Sequence, residues 1–401
     1  MSEPMGPSGL DEFRREATEK LAGFAERRQK EATRWGVGDD RVSVVAERSE
    51  GEAEELSALR RYRSYLAEHG LGWVEGPRAF GGRELSPAHA AVLREVESEF
   101  DLPDDSYVRF SVSTLTPTLL AHGTEEQRRS WLPLLRSAEL IACQLYSEPG
   151  AGSDLAGLTT RAVRDGEGWR VSGQKVWSSG AHYSDVGLCI ARTSPDKPKH
   201  SGLTTFLLDL DSPGVEIRPI RQLTGGASFD EVFLDDVYVP DERRIGEIDQ
   251  GWSVVVTSLL NERSAIGTEV GVDEALVERL LDLVRHVGTP IDAQTRDAAA
   301  RIAVRAWAAR LTTARFLEGG GTPGPELALS KLLATDLLRS MSDLAADVLG
   351  AAHVADSGDW GTYAWSELTL GLPGLRVGGG TDEILKNTVG ERVLHLPKDA
   401  R

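Results

Sequence analysis

The stretch VGLCIARTSPDKPKHSGLTTFLLDL (186–210) contains two apolar runs on either side of a polar loop. The runs, 186–193 and 202–210, are rich in β-branched residues and have the length of strands. Similar runs cover 169–177, 215–220 and 231–239. Turn sequences rich in Asp, Gly and Pro separate them. The middle of the chain is therefore predicted to be a mainly antiparallel sheet, closed as a barrel or packed as a sandwich.

Helical patterns precede this region. Apolar residues recur at helical spacing near the N-terminus, at Leu10, Phe13, Ala17, Leu21 and Phe24. Another helix is predicted over 57–69, with Gly70 at its end.

A further helix is predicted to begin at a capping box, because Gln127 follows Thr124 by three residues. Pro133 is expected to kink or break this helix soon after its start.

Helical patterns return after Gly251. Four apolar-periodic runs predict helices over 252–287, 294–318, 326–350 and 381–395. The predicted fold class is therefore α+β, with an N-terminal helical domain, a central antiparallel β domain and a C-terminal four-helix bundle. The predicted domain boundaries are 1–138, 139–245 and 246–401.

Composition excludes several classes of function. The net charge of −18 in 401 residues argues against a nucleic-acid-binding protein, which normally carries a basic face. The two cysteines, Cys143 and Cys189, cannot by themselves make a disulfide scaffold or a metal cluster, so no metal is expected. No apolar run reaches about 18 residues, which predicts no membrane span. The polar N-terminus and the few cysteines favour the cytoplasm.

The segment LIACQLYSEPGAGSDLAG (140–157) is an apolar strand that runs into a loop of small residues. Gly150 and Gly152 would allow backbone amides to approach an anion closely. The alternative is an ordinary surface turn. A second segment, QKVWSSGAHYSD (174–185), offers Trp177 to flank a flat ring, although a lone tryptophan is more often a core residue.

Together these segments resemble the acyl-CoA dehydrogenase family. YSEPGAGSD (146–154) is similar to the family's T-E-P-x-A-G-S-D flavin loop, and VSGQKVWSSGA (171–181) to its G-x-K-x-W-I-T-N segment. FDEVFLDDVYVP (229–240) resembles the closing strand of the sheet, and GGGTDEI (378–384) the C-terminal E-G-T-x-x-I stretch. The α–β–α order is also the family's architecture.

The resemblance implies bound FAD, oxidation of an acyl thioester to its α,β-enoyl form, and an electron-transfer flavoprotein as electron acceptor. It implies six cofactor contacts: Tyr146 and Ser147 at the ring edge near N5 and O4, Gly152 and Ser153 at the pyrophosphate, and Trp177 and Ser179 against the isoalloxazine. Ser147 and Ser179 stand where threonine is usual, and both keep the hydroxyl donor.

The catalytic base departs from the pattern of many members. The residue before the Gly-Thr pair is usually glutamate and is Gly379 here, which keeps only a backbone N–H to donate to the thioester carbonyl. Some relatives, those resembling isovaleryl-CoA dehydrogenase, place the base before an arginine on the helix that opens the C-terminal domain. Glu262 and Arg263 match that position. Glu262 is therefore the predicted base, and Arg263 is predicted to contact the substrate or to offset the charge of Glu262.

The pattern around Glu262 supports this assignment. Val255, Leu259, Glu262 and Ile266 fall on one helical face, so the carboxylate interrupts an apolar stripe. Desolvation on such a face is expected to raise the pKa of the carboxyl group and make it a better base. The alternative is a structural ion pair within the helical bundle.

The sequence also indicates an incomplete diphosphate site. Neither R-x-x-F-G nor Q-x-x-G-G, which the neighbouring subunit usually offers to FAD, is intact, and Asp347 replaces the glutamine. Thr381 is the remaining predicted cofactor contact on that face. Either Arg296 and Arg301 act as other donors in a homodimer or homotetramer, or the chain is half of a heterotetramer with a paralogous subunit.

Three other functions are alternatives, although the intact YSEPGAGSD loop and Glu262 argue against the last of them. They are a flavin monooxygenase or oxidase of this fold, a dehydrogenase of acyl-carrier-protein thioesters, and a non-catalytic subunit of a heteromer. The sequence does not indicate which acyl group the substrate carries, and both a fatty acyl chain and a steroid side chain are compatible with it. The loop TSPDKPKH (193–200) offers two lysines and a histidine for phosphate contact, or is simply a solvated loop.

Overall fold

The computed structural model describes residues 7–28, 35–43, 51–269, 274–287, 291–317, 324–361 and 363–398. Its contacts divide the chain into two compact units. The first unit comprises Met1–Glu31, Arg48–Ile220 and Ala227–Ser258, and the second comprises Ala32–Glu47, Arg221–Gly226 and Leu259–Arg401.

Helices occupy both ends of the chain and strands its middle. The helices are α1 (Pro7–Ala22), α2 (Glu52–Glu68), α3 (Pro87–Glu97), α4 (Thr116–His122), α5 (Glu125–Arg136), α6 (Gly251–Glu269), α7 (Glu274–Val287), α8 (Ala293–Leu317), α9 (Leu327–Leu349), α10 (Ser366–Val377) and α11 (Asp382–Thr388). The strands are β1 (Ala142–Leu145), β2 (Arg161–Asp165), β3 (Gly168–Ser179), β4 (Val186–Arg192), β5 (Leu203–Asp209), β6 (Val215–Ile220), β7 (Phe229–Pro240) and β8 (Arg244–Ile245). This order confirms the predicted α+β fold class.

The helices of the first unit pack through the stripe that the sequence indicates. Phe13, Ala17 and Leu21 of α1 are buried in one core with Leu59 and Leu66 of α2. Burying one leucine side chain contributes roughly 1.5–3 kcal/mol, so such a stripe fixes which face of each helix turns inward.

The predicted helix starts and ends are largely confirmed. Thr124 and Gln127 form the capping box that opens α5. Gly70 follows α2 in a left-handed conformation, φ 69°, which glycine adopts without steric cost. Pro133 does not break α5, because the helix continues to Arg136 and the Pro133 carbonyl still accepts from Ser137 N at 2.9 Å.

The sheet contains eight strands in the order β6-β7-β3-β2-β4-β5-β8, with β1 beside β4. Most pairs are antiparallel, as predicted. The exceptions are β1 with β4, and one residue pair between β2 and β4. β1 follows α5 directly in the chain and is largely buried. The loop that follows Leu145 therefore starts at the end of a buried strand.

The second unit has its own core among α7, α8, α9 and α10, which includes Leu280, Ile302, Met341 and Leu368. The run predicted as one helix over 252–287 contains two helices, α6 and α7. No sequence pattern predicts α10, because its GLPG segment has the composition of a loop. None of the helices that the structure describes is long and apolar enough to cross a membrane.

Candidate active site

A buried ion pair anchors the loop that follows β1. The Glu148 carboxylate accepts hydrogen bonds from Thr159 N at 2.7 Å, Thr159 Oγ1 at 2.8 Å and Thr160 N at 2.8 Å. It also accepts from Lys175 Nζ at 2.9 Å. Burial alone would raise the pKa of Glu148, but the Lys175 charge and these donors outweigh it and lower the pKa to about 2. Glu148 is therefore ionised and serves as an anchor.

Further bonds tie this loop to β3. Lys175 Nζ donates to the Tyr146 carbonyl at 3.1 Å, and Val176 N donates to the Ser147 carbonyl at 2.9 Å. The loop closes on itself, since Glu148 and Ala151 exchange both backbone hydrogen bonds at 3.0 Å. The predicted contacts Tyr146 and Ser147 are thus held beside the strand that carries Trp177 and Ser179. Tyr146 is buried and Ser147 is half-buried.

The tip of the loop is open. Gly150, Gly152 and Ser153 are exposed, and a Cβ added at either glycine would meet no heavy atom within 4 Å. Neither glycine has a positive φ. The loop's own fold therefore does not require glycine at these positions, and their small size leaves room for a ligand to approach the backbone amides.

Trp177 has a strained backbone and an exposed ring. Its φ of 62° lies in the left-handed region, which a bulky side chain rarely adopts. The pairing of β3 with β7 shifts register between Lys175 and Ser178, and this bulge turns Trp177 outward, leaving it 59% exposed. Strain of this kind persists where the surrounding structure imposes it and is common at functional sites.

These features fit a flavin. An exposed indole can lie against a flat ring, the Ser147 and Ser179 hydroxyls can meet polar ring edges, and the open amides near Gly152 suit a pyrophosphate. All of them lie in the first unit, in segments joined by the hydrogen bonds described above.

A carboxylate–imidazole–carboxylate cluster beside this segment was missed by the sequence analysis. His182 Nδ1 lies 2.7 Å from Asp230 Oδ2, and His182 Nε2 lies 3.1 Å and 3.2 Å from the two oxygens of Glu52. Burial alone would lower the pKa of His182, but the two carboxylates outweigh it and the pKa is raised. Through these contacts His182 connects the segment that follows Ser179 to Asp230 of β7 and to Glu52 in the first turn of α2.

The two lysines of the loop between β4 and β5 are engaged in ion pairs. Lys197 Nζ lies 2.7 Å from Asp249 Oδ2, and Lys199 Nζ lies 2.7 Å from Asp154 Oδ1. This favours the interpretation of the loop as solvated structure, with Lys199 bracing the end of the flavin-loop motif.

In the second unit, a turn of three glycines precedes α11. Gly379 and Gly380 have φ of 64° and 98°, so a glutamate in the family's usual base position would be strained in this backbone. Thr381 is the N-cap of α11, and its Oγ1 accepts from Ile384 N at 3.2 Å. This hydroxyl has a capping role, and its predicted cofactor contact stays a prediction.

The candidate carboxylates of the second unit differ in availability. Asp382 is buried and bonded to Arg376 Nε at 2.7 Å, whereas Glu383 is exposed in the first turn of α11. Glu262 is half-buried on α6. Arg263 follows it on α6, and the Arg263 side chain lies outside the described part of the chain.

Comparison with known proteins identifies the family. Three family models match consecutive parts of the chain: the acyl-CoA dehydrogenase N-terminal domain over 26–139, the middle domain over 143–237 and the C-terminal domain over 249–394. The chain belongs to the acyl-CoA dehydrogenase family. The chain is thus a member of a family of flavoprotein oxidoreductases. This agrees with the position of Ser147, Trp177 and Ser179, which could contact a flavin ring.

The similar relatives include mycobacterial enzymes. Acyl-CoA dehydrogenase IpdE1 of Mycobacterium tuberculosis is 37% identical over 353 residues, which cover 87% of this chain and 91% of that protein. Acyl-CoA dehydrogenase FadE34 of the same organism is 36% identical over 371 residues, 90% of this chain, and this chain spans only 50% of its length. The solved structure described as the Tcur3481-Tcur3483 steroid ACAD is 28% identical with a TM-score of 0.73, and the match covers 98% of this chain and 99% of that one.

Proposed function

We propose that the protein is an FAD-dependent acyl-CoA dehydrogenase that forms an α,β-enoyl thioester, with Glu262 as the catalytic base. The single observation that carries the proposal is the loop–strand assembly around the Glu148–Lys175 pair, which holds Ser147 beside the strand of Trp177 and Ser179. Family membership gives the reaction class.

The cofactor is held by this assembly. Trp177 would lie against the flavin ring, Tyr146, Ser147 and Ser179 would meet its edge, and Gly152 and Ser153 would hold the pyrophosphate. Bound FAD supplies a two-electron acceptor for the hydrogen that leaves the β-carbon. An electron-transfer flavoprotein is the proposed next acceptor.

Glu262 removes the α-proton of the thioester. Its half-buried position on α6 limits hydration of the carboxylate, which strengthens a base toward a weakly acidic C–H group. The Gly379 N–H donates to the thioester carbonyl, where negative charge develops as the proton leaves. Arg263 contacts the substrate or offsets the charge of Glu262. Gly379 has no carboxylate of its own, so the proton needs an acceptor elsewhere in the chain.

A bulky acyl-CoA, such as a steroid side-chain thioester, is the proposed substrate class. The support is the 28% identical solved structure, which is described as a steroid ACAD. Straight-chain acyl-CoA and acyl-carrier-protein thioesters are the alternatives that the experiment below separates.

A heterotetramer with a paralogous subunit is the proposed assembly. Asp347 is exposed, and it corresponds in sequence to the missing glutamine, so its negative charge would repel a diphosphate there. The related steroid ACAD carries two protein names, and FadE34 is about twice as long as the stretch it shares with this chain. We further propose a cytoplasmic enzyme with domain boundaries at 138/139 and 245/246.

An anaerobic titration tests the proposed function. The purified protein, with its partner subunit if it needs one for flavin, is mixed with butyryl-CoA, octanoyl-CoA, palmitoyl-CoA, a steroid side-chain CoA thioester and an octanoyl-acyl-carrier-protein thioester while flavin absorbance is recorded. Bleaching by at least one thioester, greatest with the steroid, is expected, and the reduced enzyme should reoxidise slowly in air. No bleaching by any thioester would contradict a dehydrogenase, and fast reoxidation in air would favour an oxidase or monooxygenase.

A further inference from the structure

The glycine turn before α11 rests on a buried lysine. Lys331, in the second turn of α9, is buried, and its ammonium group donates to the carbonyl oxygens of Gly378 and Gly380. The distance to the Gly380 oxygen is 2.5 Å. All of these residues lie in the second unit, so the contact belongs to one compact body.

This contact fixes the direction of two peptide groups. In a planar trans peptide, the C=O of one residue points opposite to the N–H of the next. Because the Gly378 and Gly380 oxygens point at the ammonium, the N–H groups of Gly379 and Thr381 point away from it. Within the described ranges, neither N–H donates to another protein group. Both residues are half-buried, so a ligand can reach them.

We propose that Lys331 is a positioning residue that aims and polarises the Gly379 N–H toward the thioester carbonyl. This inference rests on the proposed function and adds the group that makes the Gly379 donor effective. A cation at a carbonyl oxygen draws electron density from the amide, and the neighbouring N–H becomes a stronger donor. Because Lys331 is buried, water screens this effect only weakly.

A simple helix cap would have a different geometry. Gly378 is the C-cap of α10, so one of the two bonds does meet the end of that helix. The other goes to Gly380, beyond the helix, so Lys331 holds the residues on both sides of Gly379, which a simple cap would not do. An ion pair also spans this turn, since Arg376 Nε, before the glycines, lies 2.7 Å from Asp382 Oδ2, after them. The turn is therefore fixed at its base by Lys331 and at its two ends by Arg376 and Asp382.

The test compares Lys331→Met with Lys386→Met, which removes an exposed ammonium from α11. Both variants are made in the full assembled enzyme. Lys331→Met is expected to slow single-turnover flavin reduction by about tenfold or more, while the Kd of the acyl-CoA changes by less than about threefold. Lys331→Arg, which keeps the charge, is expected to recover most of the rate, and Lys386→Met to match the parent.

A second measurement reports the hydrogen bond itself. In the Glu262→Gln background, in which flavin reduction is expected to be slow, the bound thioester is labelled with 13C at its carbonyl, using the acyl-CoA that bleaches the parent fastest. Its infrared C=O stretch is expected to lie below that of the free thioester and to move back toward the free value in Lys331→Met. If Lys331→Met does not fold, Lys331→Gln is measured by the same criteria.

An unchanged stretch and an unchanged reduction rate in the Lys331 variants would overturn the positioning role. That result in an enzyme whose parent is bleached by acyl-CoA would leave the proposed function standing. A parent that no acyl-CoA bleaches would instead contradict the proposed function.

Discussion

The Lys175 ammonium lies 2.9 Å from the Glu148 carboxylate, and the two side chains are 0% and 4% exposed. Glu148 belongs to the loop after β1, and Lys175 belongs to β3. Two charges withdrawn from water are stable only when they satisfy each other and their other hydrogen bonds, as the Thr159 and Thr160 donors do here. The pair therefore makes the position of the cofactor loop depend on the strand that carries Trp177.

Lys175→Met is expected to lower the free energy of unfolding by about 3–5 kcal/mol, because it leaves a buried carboxylate without its counter-ion. Urea denaturation measures the change. The double variant Glu148→Gln/Lys175→Met should recover part of the loss. Lys199→Met removes an exposed ion pair with Asp154 at the same loop and should lower the free energy of unfolding by at most about 1 kcal/mol. Equal losses in Lys175→Met and Lys199→Met would show that the buried pair is not an anchor.

Trp177→Gly is expected to separate stability from cofactor binding. Glycine adopts the left-handed backbone freely, so the free energy of unfolding of the flavin-free protein should rise by up to about 1 kcal/mol. Loss of the ring should weaken flavin binding by about 1 kcal/mol or more. Thermal unfolding and flavin titration measure the two effects.

Asp236→Gly is the matched control for Trp177→Gly. Asp236 also has a positive φ, 52°, and is exposed on β7. This substitution also removes a side chain from a left-handed position, although aspartate tolerates that region better than tryptophan, and it should leave flavin affinity unchanged. Flavin affinity that is unaltered in Trp177→Gly would contradict stacking on this ring.

His182 is expected to make stability depend on pH. Because its folded-state pKa is raised, its contribution is complete below the unfolded value of about 6.5 and is lost as the pH rises through the folded-state pKa. The groups that face the ring are Glu52 and Asp230, with Tyr183 in edge contact.

His182→Gln should therefore destabilise the protein most at about pH 6, by roughly 3 kcal/mol, and less as the pH rises. Denaturation curves at each pH give the difference in the free energy of unfolding between the parent and the variant. The other histidines are common to both proteins, so their effects cancel in this difference. A difference that is constant with pH would mean that His182 is not protonated between its two carboxylates.

Local patterns in the sequence predict much of the fold. The runs at 169–177 and 231–239 fall within β3 and β7, since alternation and β-branching act within a few residues. The missed helix α10 contains Pro373 and Gly374, and it forms because Leu368 and Leu372 are buried in the core of the second unit. Tertiary packing overrides local propensity at such a place.

The motifs predict which residues gather at the site but not how they are held. Lys175 lies 27 residues from Glu148, and His182 lies 130 residues from Glu52, so neither contact has a local pattern. The left-handed Trp177 is also unpredictable, because the bulge in the pairing of β3 with β7 imposes it. A buried lysine on α9 gives no sign in the sequence that it bonds to Gly378 and Gly380.

The central claim is that Glu262 takes the α-proton, and anaerobic stopped-flow reduction of the flavin by acyl-CoA tests it most directly. Glu262→Gln should bind flavin and thioester as the parent does and reduce its flavin slower by about 10²-fold or more. Glu383→Gln, which removes an exposed carboxylate at the start of α11, should react at the parent rate. Reduction of Glu262→Gln at a rate near that of the parent would contradict the account.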